Sequence, residues 1–158
     1  MDATKLGKRL DCELETSLEW TARSPKRLYV SVPPEHLYEV FDWLLSNLPG
    51  FRLGTSTGID LREGVGVFHH FPVNGTALVI TLKVVAPKPN PHVPSLAAKI
   101  PAAGWIEREI HDLLGVVFDG HPDLSRLVKA EAFPDTFPLR RDFDAHEFKE
   151  SIGEHLDF

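Results

Sequence analysis

The chain has 158 residues, 42% hydrophobic and 25% charged, with ten Phe, which is enough apolar mass for one folded domain and too much for general disorder. A net charge of -6 argues against nucleic acid as a partner, because phosphate binding depends on clustered Lys and Arg. The single cysteine, Cys12, cannot assemble an iron-sulfur cluster, a zinc ribbon or a disulfide scaffold.

Residues 1–24 mix charges with Leu10, Leu14, Leu18 and Trp20, a pattern that fits either a short helix or an edge strand. No apolar h-region of a secretory signal is visible there, and we read the chain as cytoplasmic. Arg27 to Val32 forms a β-rich run that Pro33 and Pro34 bring to a stop. From Pro34, the apolar residues Leu37, Val40, Phe41, Leu44, Leu45 and Leu48 recur at helical spacing, and Pro49-Gly50 ends the pattern. Phe51 to Leu61 reads as extended. Val65 to Phe71 and Thr76 to Ala86 flank Val73-Asn74-Gly75, a hairpin signal because both Asn and Gly tolerate positive φ. Leu78, Ile80, Leu82 and Val84 alternate along the second run and predict one buried face. The longest apolar stretch, Ala77 to Val85, is interrupted by Thr81 and Lys83 and falls short of the roughly 20 residues of a membrane span.

Pro87 to Pro94 reads as a stiff extended connection within the domain, and Ser95 can cap a short turn through Ile100. Pro101 to Leu114 predicts a helix with Ala102, Ile106, Ile110, Leu113 and Leu114 on one side and Gly115 as terminator. Val116 to Phe118 fits a brief strand and residues 119–123 a turn. The fold class is α+β: a two-layer arrangement of a mixed sheet, including the hairpin, covered on one face by the helices at 34–48 and 101–114, with an irregular C-terminal segment. The single domain spans residues 25–143, and residues 144–158 form an acidic tail.

Candidate chemistry is sparse. Glu107 and His111 share a helix face, and with His121 they could ligate zinc or iron, with Asp112 behind them. That spacing matches no established metal motif, and such pairs commonly serve as surface ion pairs. His69-His70 lies in a strand, so its two rings point to opposite faces: one packs and one is solvated. Glu109 and Asp112, three apart, could act as acid and base, but no nucleophile accompanies them. Arg140-Arg141-Asp142 offers forks for carboxylate contacts or is a solvated turn. There is no G-x-G-x-x-G, G-x-x-x-x-G-K-[ST] or G-x-S-x-G, so the residues favour a binding module over an enzyme.

Three ordered blocks carry a resemblance. Trp105-x-Glu107-Arg108-Glu109-x-x-Asp112-Leu113-Leu114-Gly115, then Phe118-x-Gly120-His121-Pro122-Asp123-Leu124-x-Arg126-Leu127, then Pro138-Leu139-Arg140-x-Asp142-Phe143, resemble the signature of the C subunit of NADH-quinone oxidoreductase. This is the 30 kDa subunit family of respiratory complex I, whose relatives include accessory subunits of energy-converting nickel-iron hydrogenases and formate hydrogenlyases. Val93-Pro94-Ser95 and the order of helix, Gly58-Ile59-Asp60 and hairpin are compatible with it; the first two dozen residues are not covered. Ser125 stands where members usually carry a second arginine, and Leu114 where an aromatic is common. Phe133-Pro134 ahead of Phe137-Pro138-Leu139 is similar to the hydrogenase branch.

The resemblance implies a subunit without cofactor or active site, packed against a large catalytic subunit and an iron-sulfur subunit, peripheral on the inner face of the membrane. It implies that Glu107, Arg108, Glu109 and Asp112 build a charged helix face. Arg126, Arg140 and Arg141 would supply matching forks within the domain or across the interface, and Trp105 and Phe118 apolar anchors; His121, Asp123 and Asp142 complete the expected partner-facing set.

Overall fold

A computed structural model describes residues 2–149 other than 132 and 147. The ambiguous N-terminus becomes both of the expected alternatives: helix α1 (Ala3–Glu13), capped by the Asp2 side chain, and strand β1 (Glu19–Ser24). Strand β2 (Arg27–Ser31) follows, and Pro34–His36 makes a single 3-10 turn leading into α2 (Leu37–Asn47). Strands β3 (Thr55–Asp60), β4 (Val65–Pro72) and β5 (Val79–Ala86) complete a five-stranded sheet in the order β1-β2-β5-β4-β3. The sheet is mixed because β2 runs parallel to β5 while every other pair is antiparallel.

One side of this sheet is dry. Leu28, Val30, Val67, Phe71, Ile80, Leu82 and Val84 are buried there, as the alternation predicts. Phe71 meets Phe41 of α2 at a centroid distance of 5.8 Å. Trp20 of β1 lies against Gly7 of α1, and Gly58 of β3 lies under Ile110 and Leu114, where an added Cβ would collide with Leu114. Three helices therefore cover this face, one more than the sequence predicts, because α1 supplies Leu6 and Leu10 to the same core.

The hairpin forms with a wider turn than Asn-Gly suggests. Only Gly75 takes positive φ, at 73°. Asn74 is held elsewhere: its N–H donates to Gly50 O and its side-chain carbonyl accepts from Arg52, so the turn is tied to the 50–52 segment.

The remaining chain builds a second layer around α3 (Ala103–Leu114), which packs on β3. Short strands β6 (His92–Pro94) and β7 (Val117–Asp119) pair in parallel, so the proline-rich connection bends at residues 88–90 and is extended where it ends in a strand. Gly115 ends α3 in the left-handed region at φ 71°, as expected. Ala102, placed by periodicity on the apolar side, is exposed, and the helix starts after it. The described residues of 121–143 have no helix or strand and run as an irregular strap over α3. The acidic tail lies mostly outside the described residues.

Candidate functional site

Helix α3 is the frame of the site, and of the acids in the charged face that the resemblance implied Glu109 is exposed while Glu107 and Asp112 turn inward. Glu107 is fully buried and Asp112 is 2% exposed. Both turn inward because the chain on either side of α3 supplies donors for them, which a helical wheel cannot reveal.

Glu107 faces the segment before the helix. Its Oε2 accepts from Ser95 Oγ at 2.5 Å and its Oε1 from Leu96 N–H at 2.7 Å. Ser95 Oγ in turn accepts from Ala97 N–H, and Tyr38 of α2 donates to Ser95 O, so Glu107 ties α3 to the turn at 95–100 and that turn to α2. Burial pushes the Glu107 carboxyl up, and the bonds from Ser95 and Leu96 only partly oppose this. His121 Nε2 lies 3.9 Å from Glu107 Oε2 but donates to Gly104 O at 3.1 Å, while its Nδ1 accepts from Asp123 N–H.

Asp112 faces the strap. Its Oδ2 accepts from the N–H groups of Leu127, Val128 and Lys129 at 3.2, 2.8 and 2.8 Å, and Lys129 Nζ stands 3.4 Å from Oδ1. Burial pushes this carboxyl up, yet the three amides and the ammonium outweigh it and hold it below the usual carboxylate range. Sequence reasoning missed Ser95, Leu96 and Lys129 as partners, since they lie 11 to 17 residues away from the acid they serve.

The arginines are mostly internal clamps. Arg108 stacks on Trp105 at 5.3 Å and donates to Ser125 O, Ser125 Oγ and Arg126 O. Ser125, where the resemblance led one to expect an arginine, is therefore a bonding partner. Arg126 donates to Phe133 O and to Asp135. Arg140 Nε donates to Leu114 O at 2.7 Å, satisfying a carbonyl at the end of α3, and its guanidinium lies 4.5 Å from the Phe137 ring. Arg141 enters through its backbone: its N–H donates to buried Asp60, which is also paired with Lys88. Asp123 accepts from Ser125 N–H and shapes the turn, and Asp142 lies exposed at the end of the strap.

One further expectation changes, and the alternative of a metal site finds no support. Phe118 is a core residue, 2% exposed, so it is no surface anchor. The metal set fails to converge: Glu107 is engaged by Ser95 and Leu96, and His111 Nδ1 donates to Val116 O at 2.7 Å. Among the described residues no three His, Cys, Asp or Glu side chains gather to hold a metal ion. His69 and His70 point to opposite faces as expected, but the second is half-buried rather than solvated. His69 is buried with Nδ1 bonded to Ser56 Oγ, and His70 sits half-buried between Thr57 and Thr81.

Among the exposed charged residues of α3 and the strap stand three large apolar side chains. Trp105 is 67% exposed, Leu139 58% and Val128 55%, with the exposed carboxylate of Glu109 on the same stripe of α3 as Trp105 and Leu113. No described helix is long and apolar enough to cross a membrane.

Comparison with known proteins places this architecture. Residues 30–149 match the family described as respiratory-chain NADH dehydrogenase, 30 Kd subunit. The chain is 33% identical over 149 residues to the NADH-quinone oxidoreductase C subunit of Ruegeria pomeroyi, covering 90% of this chain and 70% of the relative. It is 29% identical over 123 residues to the F(420)H(2) dehydrogenase C subunit of Methanosarcina mazei, covering 77% and 78%. Other relatives are longer: the chain spans 40% of the NADH-quinone oxidoreductase C subunit of Chloroherpeton thalassium and 53% of that of Streptomyces coelicolor. In fold it is similar to a chain of the membrane-bound sulfane sulfur reductase, an archaeal respiratory membrane complex, with TM-score 0.77 at 21% identity over 98% of this chain and 92% of that one. A trypsin-resistant fragment of Nqo5 shares the fold, with TM-score 0.64 at 22% identity over 78% of this chain and all of the fragment. The chain belongs to the 30 kDa subunit family of respiratory-chain NADH dehydrogenase.

Proposed function

We propose that this chain is a cofactor-free scaffold subunit, without an active site of its own, of a membrane-associated oxidoreductase complex of the NADH-quinone oxidoreductase or energy-converting hydrogenase type. It packs against the large catalytic subunit and the iron-sulfur subunit, peripheral to the inner face of the cell membrane. The observation that carries this reading is the use made of the charged signature residues. Glu107, Arg108, Asp112 and Arg140 fix the strap and the 95–97 turn to α3, and Arg126 ties the strap to itself. Their geometry stiffens a surface, which is what a scaffold needs. With one cysteine in the chain, cluster ligands have to come from a partner.

A tagged chain expressed in its native host and extracted with mild detergent tests this. It is expected to bring down an iron-sulfur partner visible by its absorption band, and purification without such a partner overturns the proposal. Trp105→Ala is expected to lower recovery of the complex about tenfold, as loss of an aromatic anchor does, while leaving the melting temperature of the chain within about 2 °C.

A further inference from the structure

The sheet has two edges, and they are finished differently. β1 carries the outward charges Glu19 and Arg23, its register shifts between Ala22 and Ser24, and α1 lies beside it; these are the usual devices that keep an edge from pairing. β3 has none of the cations or prolines that protect an edge: its sequence is Thr-Ser-Thr-Gly-Ile-Asp. The bond from Leu61 N–H to Gly64 O fixes the phase of the β3–β4 ladder, so residues 57 and 59 bond inward and the backbones of Ser56, Gly58 and Asp60 point outward. Among the described residues, the N–H and C=O groups of Gly58 find no partner outside the ladder.

Beside this edge runs a shallow groove of about 200 Å³ whose far wall is Glu109, Leu113 and Leu139. Leu139 is more than half exposed, and among the described residues no hydrogen bond or ion pair engages the exposed Glu109 carboxylate. We propose that β3 receives an extended segment of a partner protein as a sixth strand, with apolar side chains against Leu113 and Leu139 and a Lys or Arg opposite Glu109. Only a strand supplies the alternating donors and acceptors that an open edge lacks. The carboxylate at the groove selects a basic segment, and it repels this chain's own acidic residues after Arg141. The inference rests on the reading that the chain has a protein partner, but not on which complex supplies it.

Hydrogen exchange on the purified complex and on the chain alone tests the strand directly. The outward amides of Ser56, Gly58 and Asp60 are expected to slow at least tenfold in the complex while those of 19–24 stay unchanged. Glu109→Lys combined with Leu139→Lys is expected to lower partner recovery about tenfold without shifting the melting temperature, while Arg23→Glu on the other edge keeps it. A photoreactive residue in place of exposed Thr57 is expected to capture a partner segment containing Lys or Arg. A complex that assembles with no protection at Ser56, Gly58 and Asp60, or a cross-link to a second copy or to this chain's own acidic end, overturns the sixth strand and leaves the subunit reading standing. Failure of the unmodified chain to capture any partner overturns both.

Discussion

The sheet half of the molecule and the strap half are held together by different physics. In the first, residues 3–86, the contacts between layers are apolar: Phe41, Phe51 and Phe71 interlock with centroids 4.5 to 5.8 Å apart, and Leu, Ile and Val fill the rest. In the second, residues 88–149, fewer side chains reach that core, and the chain is fixed by hydrogen bonds to ionisable groups at Glu107, Arg108, Asp112 and Arg140. Apolar burial is roughly proportional to area and tolerates small shifts, whereas a bonded charge depends on each partner being in place. The strap is thus the half in which one substitution undoes a whole segment.

The largest effect is expected from Asp112→Ala. It strands the N–H groups of Leu127, Val128 and Lys129 together with the Lys129 ammonium, and breaking a buried charged pair costs about 3–5 kcal/mol. Urea denaturation measures the loss, and limited proteolysis is expected to cut first in the strap while the sheet half stays intact. Loss of less than about 1 kcal/mol would mean that the apolar contacts of the strap suffice.

Acid probes the apolar half. Burial, with a smaller contribution from His70, pushes His69 down to about 3, so it folds neutral while the unfolded side chain titrates near 6.5. Below pH 6.5 the unfolded state gains a proton that the folded state refuses, so stability falls with falling pH, by about 1.4 kcal/mol per unit, until pH reaches about 3. At pH 5 the loss from this group is about 2 kcal/mol. Denaturation at pH 7 and pH 5 is expected to show a slope that His69→Leu reduces.

The smallest effect is expected at Glu107, which contrasts with Asp112 further along the same helix. Burial raises Glu107, so the charge itself opposes folding above its unfolded pKa, and stability from this group grows as the carboxyl protonates. Glu107→Gln keeps the carbonyl acceptor for Leu96 N–H and can meet Ser95 Oγ with its amide, so stability at pH 7 is expected to change by no more than about 1 kcal/mol. A loss as large as that of Asp112→Ala would show that the negative charge is required.

Much of the fold was legible because its elements are periodic. The alternation over 78–84 and the helical spacing over 37–48 follow from which side of a strand or helix meets water, and the structure buries most of those positions. The N-terminus was legible only as a choice, since Leu10, Leu14, Leu18 and Trp20 straddle the end of one element and the start of the next. At the candidate site, the residue types were visible and their orientations were not. Asp112 falls where a wheel places solvent and Glu107 at the border of the apolar side, three residues before Ile110 and seven before Leu114, and the strap and the 95–97 turn fold over them. Phe118 behaved as any Phe in a short strand does and entered the core.

By itself the sequence determined the α+β class, the mixed order of helix and hairpin, and the family, because hydrophobic periodicity and the three signature blocks are local in the chain. It also determined that one thiol cannot ligate a cluster. Only the tertiary structure decided that the signature acids Glu107 and Asp112 are buried fasteners, that Trp105 and Leu139 stay outside, and that β3 is an open edge. Those outcomes depend on which distant backbone amides arrive beside a carboxylate and which strand is left unpaired, and both are set by chain segments many residues apart.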